Sequence, residues 1–169
     1  AMLRAEYAKR GIKFMLNTKV VSLDGSTGEN GETQVRVNYE NAEGTGFSVA
    51  EKLLMSVGRR PVTKGFGLEN LNPEKTERGN IRVDGQMRTS VTGVYACGDL
   101  TGFSLLAHTA VREAEVAVHA VLGKKDCMSY RAIPGVVYTN PEIAGVGDTE
   151  EALQKKGIPY RTVKLPMAY

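Results

Sequence analysis

The sequence is short of the residues that hold metals and build redox centres: two cysteines and two histidines among 169 residues. Cys97 and Cys127 lie far apart, in no C-x-x-C or metal-type spacing, and so little histidine argues against a zinc site. Neither thiol has the close partner that a redox disulfide requires. Long apolar runs are missing too; none approaches the roughly 20 residues that span a bilayer. Basic runs are equally scarce. Lys+Arg number 22 against 19 Asp+Glu, a net charge of +3. The pairs Arg59-Arg60, Lys124-Lys125 and Lys155-Lys156 are each diluted by acidic or apolar neighbours, without interleaved aromatics. A pI near 8.9 therefore does not argue for nucleic-acid binding. The opening AMLRAEYAKR is too charged to hold a secretory h-region, and Ala1 ahead of Met2 reads as a tag remnant. Free thiols without such a signal point to the cytoplasm.

What is present is a globular composition, 41% hydrophobic and 24% charged, at a length that suits one domain or pieces of several. Leu3 to Arg10 reads as a helix stopped by Gly11. Ile12 to Leu16 and Val20 to Leu23 read as extended. The cluster Gly25 to Gly31 ends in Asn-Gly, a hairpin signal. Beyond it Val35, Val37 and Tyr39 alternate with Arg36 and Asn38, a strand with one wet face. A second turn at Asn41 to Gly46, then strands at Phe47 to Val49 and Lys52 to Val57, complete a β-meander over residues 12–57.

Residues 63–80 read as a loop rich in Gly, Asn and Pro. Ile81 and Val83 start a short strand before the Asp84-Gly85 turn, and Val94 to Cys97 form another that stops at Gly98-Asp99. Ser104 is placed to cap a helix from Leu105 to Leu122, ended by Gly123. Leu106, Ala110, Ala114, Ala117 and Val121 would form its apolar face. Strands at Val136 to Thr139 and Ile143 to Val146 follow. Then come a capping-box pattern at Asp148 to Glu151, a helix to Lys156 stopped by Gly157, and a strand from Tyr160 to Leu165. An opening orphan helix and an ending on a strand give the chain the look of a cut piece.

No phosphate cradle is evident. Gly44-x-Gly46, Gly65-x-Gly67 and Gly145-x-Gly147 lack a third glycine and a strand–helix setting, so each reads as a turn. The segment Tyr95 to Leu100 before the helix is the better candidate. A strand ending in Gly98-Asp99 puts a carboxylate at a sheet edge, able to accept hydrogen bonds from sugar-like hydroxyls. The helix behind it aims free N–H groups at the same place. The competing reading is a turn aspartate that caps a loop. His108 sits near the helix N-terminus, where the dipole disfavours an imidazolium. His119 shows no partner pattern and reads as surface or structural. Cys97 reads as a small core residue.

Four motifs carry a resemblance: Val57-Gly58-Arg59-Arg60-Pro61, Thr92 to Asp99, Leu106-Ala107-His108, and Tyr138-Thr139-Asn140-Pro141-Glu142 with Val146-Gly147. Together they resemble the flavin disulfide oxidoreductases, and among these the dihydrolipoyl dehydrogenases better than the glutathione or mercuric reductases. The resemblance implies an α/β chain of mixed α+β pieces. These are the end of an NAD domain (1–62), the C-terminal part of an FAD domain (63–123) and the start of a dimer-interface domain (124–169). It places Val20 on the adenine side of NAD, with Ser56, Val57, Gly58 and Arg59 near the nicotinamide. Gly98 and Asp99 would meet the ribityl-phosphate region of FAD. Leu106, Ala107 and His108 would face the isoalloxazine N1/O2 edge, where a helix dipole stabilises the negative charge of reduced flavin.

Implied partners are a second copy of the chain and a lipoyl-bearing protein of a 2-oxo acid dehydrogenase or glycine cleavage complex, with neither nucleic acid nor membrane. The family's C-x-x-x-x-C pair, its two glycine-rich fingerprints and its C-terminal His-Glu pair do not occur in this sequence. His108 does not match that histidine, and Cys97 stands where the family usually has an aliphatic residue. No catalytic residue and no metal ligand are therefore assigned. The expectation is a fragment that binds neither cofactor tightly.

Overall fold

Gly11, at φ +84°, ends the first helix: its left-handed backbone is open to glycine at little cost, and the chain turns out of α1 (Met2–Lys9). The computed structural model describes residues 2–27 and 31–166. Its contacts divide it into two units, Ala1–Gly58 and Arg59–Tyr169.

In the first unit, β1 (Lys19–Thr27), β2 (Thr33–Asn41) and β3 (Gly44–Ala50) form an antiparallel sheet in that order. Thr27 faces Thr33 across the first hairpin; the centre of its Asn-Gly turn lies outside the described residues. The second turn is tighter than the sequence suggested. Asn41 pairs with Gly44, and the Asn41 side chain accepts the Glu43 amide at 2.9 Å. Val35, Val37 and Tyr39 are half-buried while Arg36 is exposed, its guanidinium 3.7 Å over the Phe47 ring. Two expected strands are absent: residues 12–16 and 52–57 are irregular. A strand is defined by a ladder partner, and alternation alone does not supply one.

The second unit holds every buried hydrophobic side chain among the described residues: Ile81, Met87, Ala96, Val116, Ala117 and Ala120. Ahead of its central helix, pairing is reduced to single bridges, Lys75 with Ile81 and Arg88 with Tyr95, so the expected strands at residues 81–83 and 94–97 are not formed. What orders this region is an aspartate turn. The Asp84 carboxylate accepts the amides of Gln86 at 2.8 Å and Arg88 at 3.0 Å. Its carbonyl takes the Met87 amide at 3.1 Å, and Met87 is held at φ +63°. A left-handed backbone at a bulky residue is strained and persists because the bonds to Asp84 hold it. Met87 is thereby driven into the core beside Val116 and Ala117, with Val83, Tyr95 and Met128 packed around them.

Helix α2 (Ala107–Val121) starts two residues later than expected, because Leu106 is the capping residue and makes no side-chain cap. Ser104 pairs instead with the Thr109 hydroxyl at 2.8 Å. Its buried face is also rotated from the expected one, comprising Thr109, Glu113, Val116, Ala117 and Ala120. Of the face read from the sequence only Ala117 is buried; Val121 is 64% exposed. The C-terminus closes as a Schellman motif: Lys124 N–H donates to His119 O at 2.9 Å and Gly123 N–H to Ala120 O at 3.2 Å.

Beyond it, β4 (Gly135–Val137) pairs antiparallel with β5 (Ile143–Gly145). The short α3 (Glu150–Lys155) is capped by Thr149, whose side chain accepts the Ala152 amide at 3.2 Å. Ala152 occupies the third position, so no glutamate reciprocates and the capping box is half-formed. Residues 160–165 are irregular rather than a strand. The fold is thus a mixed α/β assembly of a small meander and a helix-centred unit.

Met87 is 1% exposed, so Met87→Ala should lower the unfolding free energy of the second unit by about 2–5 kcal/mol. Urea unfolding of the two proteins side by side measures it.

Candidate functional site

Gly98 is the pivot between an extended segment and a turn. Cys97 is extended at φ −144°, the 3-10 turn Gly98–Leu100 follows, and Gly98 itself lies at φ +75°. A Cβ there would stand 3.3 Å from the Ala110 methyl on α2, so glycine serves both the backbone angle and the close packing. The turn closes on itself through Thr101 N–H to Gly98 O at 3.0 Å and the Thr101 hydroxyl to the same oxygen at 3.0 Å. Its outer end is tied to the core by Ile81 N–H donating to Leu100 O at 3.0 Å.

Glu113, fully buried in the middle of α2, reaches the turn from the helix side. One carboxylate oxygen accepts the Gly98 amide in a short hydrogen bond. The other accepts the Tyr130 phenol at 2.7 Å and, at 3.3 Å, shares the single Thr101 hydroxyl proton with the Gly98 carbonyl. Tyr130 stacks on Phe103 with centroids 4.8 Å apart. Burial first, then the bond to Glu113, drives the Tyr130 phenol far above its ordinary value. Partial burial, then the Glu113 charge, also raises the Cys97 thiol, so it stays protonated at neutral pH and is a poor nucleophile. Cys97 is exposed rather than a core residue, because the packed residues on either side of it are Ala96 and Gly98.

With the turn fixed, Asp99 is exposed and lines a cleft of about 460 Å³ with Arg59, Arg60, Asn80, Leu100 and Leu105. Leu106, Ala107 and His108 are exposed at the start of α2, where the first amides have no intrahelical acceptor and no side-chain cap. Among the residues picked from the sequence, Gly98, Asp99 and the α2 N-terminus are brought together, and Arg59 shares the cleft of Asp99. Val20, Ser56, Val57 and Gly58 belong to the first unit, all exposed.

His108 Nε2 lies 2.9 Å from the Pro134 carbonyl. His119 does have a partner, contrary to the sequence reading: Asp126, at 2.7 Å. Asp126 also holds Arg112 through two contacts of 2.6 and 2.9 Å and the Cys127 amide at 2.8 Å, latching the 124–130 segment onto α2. Glu113, Thr101, Tyr130 and Asp126 were missed in the sequence. The one available signal was a glutamate in register with Thr109, Val116 and Ala120. Among the described residues no His, Cys, Asp or Glu cluster could hold a metal, and no helix is long and apolar enough to cross a membrane.

A carboxylate on a glycine turn offers an acceptor, and the uncapped α2 N-terminus offers backbone donors. The pyridine nucleotide-disulphide oxidoreductase family matches residues 1–114, and its dimerisation domain matches residues 133–169. The chain belongs to this family of oxidoreductases. It is 42% identical over 160 residues to dihydrolipoyl dehydrogenase 1, mitochondrial, of Arabidopsis thaliana, covering 94% of this chain and 31% of that one. It is 40% identical over 162 residues to the human mitochondrial dihydrolipoyl dehydrogenase, covering 95% and 31%. Among solved structures, LpdA of Mycobacterium tuberculosis superposes with a TM-score of 0.84 at 30% identity, over 98% of this chain and 34% of that one. The HOCl-induced flavoprotein disulfide reductase RclA of Escherichia coli gives 0.76 at 27%, over 98% and 37%. The chain thus spans about a third of the length of these relatives.

Arg112 and His119 lower the Asp126 carboxyl far below its ordinary 3.8. A depressed folded-state value means that the latch contributes its full stability above pH about 4 and loses it only as pH falls toward the folded value. Asp126→Asn should therefore melt below the wild type at neutral pH, with the gap narrowing only under strong acid. Thermal scans from pH 7 to pH 2 check this.

Proposed function

We propose that this chain supplies cofactor walls and part of the subunit interface in a dihydrolipoyl dehydrogenase, contributing no reacting group of its own. In such an enzyme a bound flavin supplies electron transfer from the lipoyl dithiol toward NAD. The residues fit that role by donor and acceptor chemistry. Asp99 offers a carboxylate for flavin-chain hydroxyls, and the Leu106, Ala107 and His108 amides offer donors and a positive dipole end to an electron-rich ring edge. Val20, Ser56, Val57, Gly58 and Arg59 are proposed for the NAD side. Domain limits of 1–62, 63–123 and 124–169 are part of the same reading, as is homodimerisation through the last of them. The partner would be a lipoyl-bearing protein. Two free thiols suit a reducing compartment; the cytoplasm is proposed, although the relatives named above are mitochondrial. The observation that carries the reading is the buried Glu113–Gly98 contact, which turns Asp99 outward next to the uncapped helix.

This chain holds neither a C-x-x-x-x-C pair nor a glycine-rich phosphate turn, so its own affinity for FAD should be weak, with Kd on the order of 1 mM. Titration of the ¹⁵N-labelled chain with FAD should shift the amides of residues 98–101 and 106–109 selectively. A protein that purifies yellow with stoichiometric flavin, or a titration that leaves those amides unmoved, contradicts the reading. A second reading, self-association, is favoured by Val136, Val137, Tyr138 and Val146, exposed at 40%, 49%, 83% and 64% within the dimerisation-domain match. Light scattering that reports only monomer counts against it.

A further inference from the structure

Glu113 has no reason to be where it is on packing grounds. Its side chain is fully buried on the face of α2 that otherwise presents Thr109, Val116, Ala117 and Ala120, and an aliphatic residue would fill such a position without desolvating a charge. None of its partners is a cation: they are the Gly98 amide, the Thr101 hydroxyl and the Tyr130 phenol. A buried carboxylate satisfied by three neutral donors gains direction rather than charge neutralisation. The direction it imposes falls on one peptide. Gly98 N–H is pulled toward the helix at φ +75°, which turns the next residue, Asp99, out into the cleft shared with Arg59, Asn80 and Leu105.

We infer that Glu113 is a positioning residue for the cofactor-facing turn: its carboxylate anchors Gly98 and thereby sets where the Asp99 carboxylate stands. The inference rests on the reading of Asp99 as a flavin contact. The Tyr130 bond can be separated from the Gly98 bond. Removal of the phenol oxygen of Tyr130 takes one donor from Glu113 but leaves the Gly98 bond. A glutamine at position 113 can keep an oxygen on Gly98 N–H while its amide donates to the two hydroxyls, which are free to accept. An alanine keeps nothing.

The test uses the full chain with FAD as the probe, followed by ¹H–¹⁵N correlation spectra, with thermal melts run in parallel. In the wild type the Gly98 amide should resonate downfield, as a charge-assisted bond to a buried carboxylate requires. Glu113→Ala should lose that signature and weaken the FAD response by about tenfold or more, the loss of one charge-assisted hydrogen bond. Glu113→Gln should retain an intermediate Gly98 shift and most of the affinity. Tyr130→Phe should melt at lower temperature yet bind FAD as the wild type does. If Glu113→Ala does not fold, the Gln and Phe variants still decide, because affinity must follow the Gly98 shift and not the melting temperature. Affinity that follows stability instead, or a Glu113 variant that binds normally with its Gly98 shift lost, overturns the inference. A wild type that shows no FAD-dependent shift overturns the flavin reading itself and the inference with it, whereas a responsive wild type isolates failure to Glu113 alone.

Discussion

A carboxylate buried without a cation must be surrounded by donors or it unfolds its surroundings, and the second unit is built around that requirement at Glu113. Its three donors come from two separate stretches of chain: Gly98 and Thr101 in one turn, and Tyr130 after the helix. Satisfying one side chain therefore fixes the turn, seats α2 against it and pulls the segment after α2 back along the helix. Desolvating a carboxylate costs several kcal/mol in a protein interior. Any rearrangement that removes a donor exposes that cost, so the turn, α2 and the segment after it hold or loosen together.

The remaining contacts act around this centre. Asp84 bends its loop so that Met87 enters the core beside Val116. Small side chains on α2 allow the turn to approach closely, with Gly98 against Ala110. Asp126 anchors the following segment a second time, at the far end of the helix, through Arg112 and His119. Two carboxylates thus hold residues 126–130 to α2, one buried and neutral-bonded, the other near the surface and ion-paired.

Much of this arrangement was legible in the sequence where it depends on backbone chemistry. Gly11, Gly98, Gly123 and Gly157 all adopt left-handed backbone, and the hairpin of β1 and β2 follows from its turn signal. The order of the motifs is by itself enough to mark the family. Reading failed where tertiary partners decide. Residues 12–16, 52–57 and 160–165 carry strand-like alternation but have no ladder to join among the described residues. The buried face of α2 was misplaced because hydrophobicity pointed to Val121 and Leu106, whereas the buried face carries Thr109 and the hydrogen-bonded Glu113. His119 gained a partner only through the fold, from an aspartate beyond the helix end. The glycine turn with its carboxylate at Gly98 and Asp99 was visible in the sequence, but the Glu113 bond to that turn was not, since a glutamate on a helix ordinarily faces water.

Native-state hydrogen exchange of the Gly98 amide tests this account most directly. Gly98 sits in a glycine-containing turn, outside any strand ladder or helix, and such amides ordinarily exchange by local fluctuation. Anchored on a buried carboxylate, it should instead exchange as slowly as the Val116 and Ala117 amides in the middle of α2, opening only when the unit unfolds. Exchange at the rate of exposed loop amides such as Val57 would show that Glu113 does not hold the turn, and the account built on it would fall.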